Sequence, residues 1–384
     1  MHNHTKRVNG VDYIIVNTLA NPRKQKNECE MCGKIGLLQC PTCRVTYYCC
    51  PDHALIDHLG IHQNICLLLK EIRTPSTAMG SERDRLKREH QKEKIVLTII
   101  ETSKREAMIH LVSNQFEQAM AAALQAQRNS IQLFGSDRVE LVPAYLLLAE
   151  ASMGLESYEQ AESYLAKARY NVLEHPDCQN SLRSRLHRAW GRLMLVTGRI
   201  DEAREELAED VYYSSLDHGP EHIDTTAGYF HLANSFRLTN QDIIAATIYD
   251  KVINIWHAFL AESLRRILEK SQQRAMRKGE KTKDGNHPEH KEESDEFDEL
   301  LEDTQVTEVI GTITRIYQFR QATTGDNSVE TTRALHCLGL LNIYAGNGED
   351  AATQLSVTME NYIQLKGEDS EEVNRVRKEM ESYL

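Results

Sequence analysis

The sequence predicts a mainly α-helical protein, in which a small finger holding two zinc ions precedes an α-solenoid with a 42-residue period. Two observations predict this fold. Eight candidate metal ligands, all cysteine or histidine, lie within 38 positions near the N-terminus, and small residues recur every 42 positions after residue 100. We divide the chain into an N-terminal lead (1–25), the finger (26–70), a linker with the first helix (71–90), repeats one to four (91–265), a fifth repeat with a charged disordered insertion at about 270–303 (266–325), and a sixth repeat with a capping helix (326–384).

The candidate metal ligands follow the spacing C-x2-C-x7-C-x2-C-x5-C-x3-H-x8-H-x3-C. They are Cys29, Cys32, Cys40, Cys43, Cys49, His53, His62 and Cys66. Structural zinc takes four sulfur or nitrogen ligands in a tetrahedron, and a C-x2-C turn supplies two of them. Eight ligands therefore suit two closed zinc sites, and a closed site has no open position for water or substrate.

The order and spacing of these residues resemble the MYND zinc finger, which binds its two metals in an interleaved way. The resemblance implies one zinc on Cys29, Cys32, Cys49 and His53, and a second on Cys40, Cys43, His62 and Cys66. Two positions depart from the family. His53 stands where most MYND fingers have cysteine, and Leu59 stands where many have tryptophan.

Other interpretations of the cysteine cluster remain open. A disulfide framework is disfavoured because nothing else in the chain suggests secretion, and cytosolic thiols stay reduced. A cross-braced finger of the PHD or RING kind would pair the ligands differently. His58 or Cys50 could also replace a neighbouring residue as a ligand.

The charge and hydropathy of the chain limit its partners. The net charge is −12, with +3 in residues 1–70 and −15 in the remainder. An acidic body argues against nucleic acid or anionic lipid as the partner. The sequence holds no run of 18 apolar residues and no apolar signal segment at its start, so we expect neither a membrane span nor secretion.

The repeat is defined by three sets of residues with the same spacing. The small residues that open the second helix are Ala119, Ala161, Ala203 and Ala245; those in the first helix are Ala107, Ala149, Gly191 and Ala233; the turn residues are Gly135, Asp177 and Gly219. This pattern resembles tetratricopeptide repeats, whose usual period is 34 residues. Eight more residues add about one turn to each helix, as in arrays of the kinesin-light-chain kind. An ordinary helical bundle is the alternative.

The frame resumes near the C-terminus with Gly339, Ala351 and Gly367, and counting back places Val309 in the fifth repeat. Because Ala245 and Val309 are 64 residues apart, this repeat carries about 22 extra residues. The segment from 270 to 303 is highly charged and poor in aromatic residues, so it cannot bury enough apolar area to offset its ordering entropy. It is either a solvated loop or a segment that contacts a partner.

Three segments carry a closer resemblance: VELVPAYLLLAEASMGLESYEQAESYLAKA, GYFHLANSFRL and KVINIWHAFL. Together with the finger, they resemble the family of zinc finger MYND domain-containing protein 12. The resemblance implies a protein of the ciliary or flagellar axoneme, with a possible cytoplasmic pool, that is associated with inner dynein arms and needed for motility. It also implies two protein partners, tetratricopeptide repeat protein 29 and an inner-arm axonemal dynein heavy chain.

The sequence gives no sign of catalysis. It contains no glycine-rich phosphate loop, no G-x-S-x-G and no H-E-x-x-H. The helical body also leaves no room for the mainly β SET domain that some MYND proteins carry. We therefore expect a non-catalytic scaffold that binds proteins but neither nucleic acid nor membranes. The alternative is a nuclear or cytosolic MYND adaptor that binds peptides of corepressors or works with chaperones.

Overall fold

Four short strands and two helices build the N-terminal finger. The computed structural model describes residues 5–8, 10–16, 27–74, 81–281 and 301–383. Its strands form one antiparallel sheet in chain order: β1 (Thr5–Val8), β2 (Val11–Ile15), β3 (Leu38–Gln39) and β4 (Tyr47–Tyr48). Helix α1 (Pro51–Asp57) follows, then a π-helical segment (His58–His62) and α2 (Gln63–Arg73). The sheet and α1 enclose the small core of the finger.

The first two strands come from the segment that the sequence analysis treated as a lead. Tyr13 on β2 is 2% exposed, and its hydroxyl donates a hydrogen bond to the carbonyl of Ala54 at 3.0 Å. Its ring also packs edge-on against Tyr48, with 5.9 Å between the ring centres. This part of the lead is therefore integral to the finger, whereas residues 1–4 and 17–25 lie outside the described residues.

Antiparallel helical hairpins follow the finger. The N-terminal compact unit, Met1–Glu206, holds α3 (Glu82–Val112), α4 (Phe116–Phe134), α5 (Val142–Gly154), α6 (Tyr158–Glu174) and α7 (Asn180–Val196), and α8 (Ile200–His218) begins in it. The small residues of the predicted frame are fully buried where paired helices meet: Ala107, Ala119, Ala149, Ala161 and Ala203 are 0% exposed. They allow the close approach that the repeat requires. Of the predicted linker, residues 75–80 are outside the described residues, and α3 begins after a Ser81–Asp84 capping box.

A backbone signature marks the turn inside each hairpin. Residues Asn114, Glu156, Gly198, Asn240 and Gly346 all have positive φ, between 56° and 79°. The first four are 42 residues apart, and each lies directly between the two helices of its hairpin. The 42-residue frame is therefore visible in the backbone as well as in the buried alanines.

The C-terminal compact unit, Leu207–Leu384, departs from the predicted frame after its first hairpin. It contains α9 (Thr226–Arg237), α10 (Asp242–Lys281), α11 (Asp303–Thr324), α12 (Val329–Tyr344), α13 (Gly348–Lys366) and α14 (Glu371–Tyr383). Ala261 occupies the position where Gly135 and Gly219 end earlier helices with positive φ. Because alanine favours the helix, α10 continues for 40 residues.

This long helix corrects the expected start of the charged insertion. Residues 270–281, which we expected to be disordered, are the last turns of α10. Residues 282–300 lie outside the described residues, and α11 begins at Asp303. The fourth repeat therefore ends without a turn at residue 261, and α11 supplies the second helix of the fifth repeat.

Helix α10 also bears on the expectation that the chain lacks a membrane span. By length and composition alone, its segment Asp242–Gln273 could cross a membrane, with a mean hydropathy of 1.2 over 18 residues. Its apolar side chains, including Tyr249, Val252, Trp256 and Leu260, form the core of the C-terminal unit with α9, α11 and α12. The segment therefore supplies core residues to the C-terminal unit, with 39% of its 18-residue window buried.

Candidate metal centre

The two C-x2-C turns of the finger share one local conformation. Gly33 follows Cys32 and has a φ of +69°, and its N–H donates to the carbonyl of Cys29 at 3.0 Å. Arg44 follows Cys43 with a φ of +58°, and its N–H donates to the carbonyl of Cys40 at 3.0 Å. Each left-handed residue closes a tight turn that brings two thiols together.

The first cluster joins the turn at Cys29 and Cys32 to Cys49, after β4, and His53, on α1. The Sγ atoms of Cys32 and Cys49 are 3.5 Å apart, and Nδ1 of His53 lies 3.5 Å from Cys29 Sγ and 3.3 Å from Cys49 Sγ. Zinc–ligand bonds of about 2.3 Å to sulfur and 2.0 Å to nitrogen give tetrahedral edges of about 3.8 Å (S···S) and about 3.5 Å (S···N). The four atoms are spaced as a tetrahedral zinc site requires.

The second cluster joins the other turn to the π-helical segment and α2. It consists of Cys40, Cys43, His62 and Cys66, all buried. The Sγ atoms of Cys40 and Cys66 are 3.9 Å apart, and Nε2 of His62 lies 3.3 Å from Cys40 Sγ and 3.8 Å from Cys43 Sγ. These edges also match tetrahedral zinc, so the residues present fit one ion in each cluster.

The geometry also bears on the alternatives left open by the sequence. None of the nine cysteines forms a disulfide, and the short Sγ···Sγ distances far exceed the roughly 2.05 Å of a disulfide bond. Neither His58 nor Cys50 belongs to either four-residue group, although Cys50 Sγ lies 3.7 Å from Cys49 Sγ. The eight predicted residues are thus brought together in the two predicted sets. Leu59, where many MYND fingers have tryptophan, is 46% exposed and belongs to neither hydrophobic cluster of the finger.

A buried carboxylate stands behind the second cluster. Asp57 is 1% exposed and accepts a hydrogen bond from the Tyr48 hydroxyl at 2.7 Å. Its Oδ2 lies 3.8 Å from Nδ1 of His62, the ring nitrogen that faces away from the cysteines. Burial raises the pKa of Asp57 to about 6. Because this value is still below neutral pH, the carboxylate is charged there. At 3.8 Å the two atoms share no hydrogen bond, so the carboxylate acts on the His62 ring through its charge.

A buried ion pair joins the finger to the first hairpin. Glu30, between ligands Cys29 and Cys32, is 7% exposed. Its carboxylate pairs with Arg73 of α2, and its Oε2 accepts from Arg128 at 2.8 Å and from Gln125 at 2.9 Å, both on α4. Burial acts to raise the pKa of Glu30, but the two guanidinium groups outweigh it and hold the pKa below its usual value. The metal-binding turn is therefore fastened to the helical body.

Apolar packing completes this junction. Ile61, Ile65 and Leu69 are 0% exposed and belong to the core formed with α3, α4 and α5, whereas Leu67 is 68% exposed. A Cβ on Gly60 would lie 2.7 Å from the carbonyl oxygen of Gln118, so only glycine permits this approach to α4. The finger and the first hairpin share one hydrophobic core.

The finger also matches a known family. Residues 29–66 match the MYND finger family over the whole eight-ligand segment. This segment is a MYND finger. Its interleaved clusters, with Cys29, Cys32, Cys49 and His53 in one and Cys40, Cys43, His62 and Cys66 in the other, fit the two-zinc arrangement of that family.

The helical body is similar to two crystal structures from Podosopora anserina. Both show a protein described as a putative kinesin light chain with nearly identical TPR-like repeats, one of them as a point variant. Each is 12% identical to this chain, covers 70% of it over 96% of its own length, and has a TM-score of 0.35 or 0.34. The repeat assignment itself rests on the hairpins and on their 42-residue frame.

Sequence reasoning missed three residues of the metal centre. Glu30 carried no signal, because an acidic residue between two ligands is ordinarily solvated. Asp57 could have been sought as a carboxylate near a histidine ligand. Tyr13 had a local signal: the dipeptide Asn9-Gly10 stands between Val8 and Val11, a pattern typical of a β-hairpin turn.

Proposed function

We propose that this chain is a non-catalytic protein-interaction scaffold of the ciliary or flagellar axoneme, where it works with inner dynein arms in motility. The observation that carries the scaffold part is the pair of complete four-ligand clusters. A zinc ion with four protein ligands stabilises a fold and offers no position to a substrate. Helical-repeat bodies present extended surfaces that bind helices and peptides of other proteins.

The junction at Glu30 supports a scaffold rather than a mobile adaptor domain. A finger that delivers peptides independently of its body needs a free hinge, whereas this finger has three fully buried side chains in the hairpin core. Two protein-binding modules held at a fixed angle suit a permanent assembly, because little conformational entropy is lost when both are engaged.

The axonemal part is supported by the sequence resemblance. The segment at residues 139–168 forms the α5–α6 hairpin, and its apolar residues Tyr145, Leu148 and Leu165 lie in the core of the N-terminal unit. The resemblance extends to the proposed partners, tetratricopeptide repeat protein 29 and an inner-arm dynein heavy chain. The acidic body disfavours nucleic acid and anionic lipid as alternative partners.

Tagging the protein in a flagellated cell and extracting with detergent tests this proposal. We expect the wild-type chain and Cys50→Ser to remain in the cytoskeletal fraction, and Cys29→Ser to be lost from it because the first zinc site fails. Cross-linking of isolated axonemes should recover the two proposed partners. A nuclear or detergent-soluble pool, with normal motility after gene loss, would defeat the axonemal proposal and favour the adaptor.

A further inference from the structure

A polar cavity of about 280 Å³ lies between α10, α12, α13 and α14 of the C-terminal unit. Its lining includes three cationic side chains, Arg333, Lys366 and Arg375, and a single carboxylate, Glu372. Lys366 and Glu372 form an ion pair with each other. The two arginines therefore leave an excess of positive charge in the cavity, although the chain as a whole carries a net charge of −12.

Neither guanidinium forms an ion pair with a carboxylate of the described residues, although Arg375 adds to the effect of Lys366 in lowering the pKa of Glu372. In the part of the chain that the structure describes, no acidic oxygen lies within ion-pair distance of Arg333 or Arg375. The one hydrogen bond of Arg333 is to Oδ1 of Asn254, at 3.5 Å. Both arginines are exposed. An anion that enters the cavity can thus engage both groups without displacing a carboxylate.

Two histidines, His257 and His336, lie in the wall of the cavity. Burial, followed by the charges of His336, Arg375 and Arg333, lowers the pKa of His257 to about 3. Because burial is the largest cause, the His257 ring is neutral at pH 7 and adds no charge to the wall. His336 itself is held in place, because its Nε2 donates to Glu379 at 2.7 Å and its Nδ1 lies 3.2 Å from Nε2 of His257.

We propose that this cavity binds a phosphate monoester group between Arg333 and Arg375. A planar guanidinium presents paired N–H donors that match phosphate oxygens, and the two unbalanced positive charges match a phosphate dianion better than a single carboxylate. The group belongs either to a phosphorylated side chain of a protein partner or to a small phosphate ester. This proposal is independent of the axonemal location proposed above.

Calorimetric titration of the zinc-loaded full-length chain at low salt tests the proposal. The probes are inorganic phosphate, O-phosphoserine within a short peptide, the same peptide without phosphate, and acetate. We expect saturable binding of phosphate and of the phosphopeptide, and at least tenfold weaker binding of acetate and of the unmodified peptide. A phosphopeptide that binds more tightly than inorganic phosphate identifies a protein source for the group.

Matched arginine variants locate the binding. Arg333→Gln and Arg375→Gln should each weaken phosphate binding at least tenfold. Arg377→Gln is the control, because Arg377 lies on the same helix as Arg375, is exposed and does not line the cavity. Since all three side chains are exposed, circular dichroism should show unchanged helicity. Absence of saturable phosphate binding, equal effects of all three variants, or acetate binding as tight as phosphate would each overturn the proposal.

Discussion

Replacing Glu30 by glutamine tests whether the finger and the helical body form one structure. A glutamine side chain would keep the shape of the glutamate, but it would remove the negative charge and place an amide N–H₂ group among donors from Arg73, Arg128 and Gln125. The two guanidinium groups would then lie in a partly buried junction without a directly paired carboxylate.

The magnitude follows from the exposure of the partners. Breaking a buried ion pair from one side costs about 3–5 kcal/mol. The side chains of Arg73 and Arg128 are still 29% and 35% exposed, so water can partly solvate them after the change. We therefore expect a loss of about 2–3 kcal/mol in the free energy of unfolding of the N-terminal unit. For a unit of this size, the melting temperature should fall by about 5–10 °C.

Tryptophan fluorescence offers a reporter of that unit. The chain has two tryptophans, Trp190 in the N-terminal unit and Trp256 in the C-terminal unit. In a Trp256→Phe background, urea unfolding of the zinc-loaded chain followed at Trp190 measures the effect. The control is Glu28→Gln, which makes the same change on an exposed residue of the same segment. If Glu30→Gln and Glu28→Gln agreed within about 0.5 kcal/mol, the buried junction would be refuted.

Three further changes test the repeat frame and the metal centre. Ala203→Trp should cost about 1–3 kcal/mol or more, because Ala203 is fully buried between helices, whereas Ala208→Trp on the exposed face of the same helix should leave the melting temperature nearly unchanged. Asp57→Asn should lower the affinity for one of the two zinc ions by about 10–100-fold in a competition with a chelator, whereas the exposed Asp52→Asn should lower the affinity for neither. Equal zinc affinities of the two variants would show that Asp57 does not support His62. Glu156→Asn should stabilise the chain by about 0.5–1 kcal/mol in urea, because asparagine tolerates the left-handed backbone at this turn better than glutamate does; a lower midpoint would show that the side chain of Glu156 matters more than its φ of 56°.

The predictable features were those fixed by local chemistry or by repetition. The order of cysteines and histidines is constrained by the short spacing of each C-x2-C turn, and the resemblance to the MYND finger implied the pairing that the structure shows. Buried alanines such as Ala119 and Ala161 reveal the repeat, because a helix pair can approach closely only where a side chain is small. Such constraints act within one turn or one hairpin, so they can be recognised in a single sequence.

The features that escaped prediction depend on distant partners. Glu30 and Arg128 are 98 residues apart, and nothing near either residue indicates the contact. The length of α10 was missed for another reason. The sequence analysis placed turn residues at Gly135, Asp177 and Gly219, but the next position in the frame, Ala261, supplies no left-handed backbone to end the helix. The role of Gly60 was likewise invisible, because it appears only when α4 is packed against the finger.

Hydrogen exchange of the full-length chain, with and without a zinc chelator, tests the central claim most directly. The account holds that the metal-bound finger forms part of the core of the first hairpin. It predicts that chelation lowers the protection of amides in α4 (Phe116–Phe134), while amides in α12 and α13 keep theirs. Unchanged protection of α4 after loss of both zinc ions would contradict it, because the finger would then be a separate module.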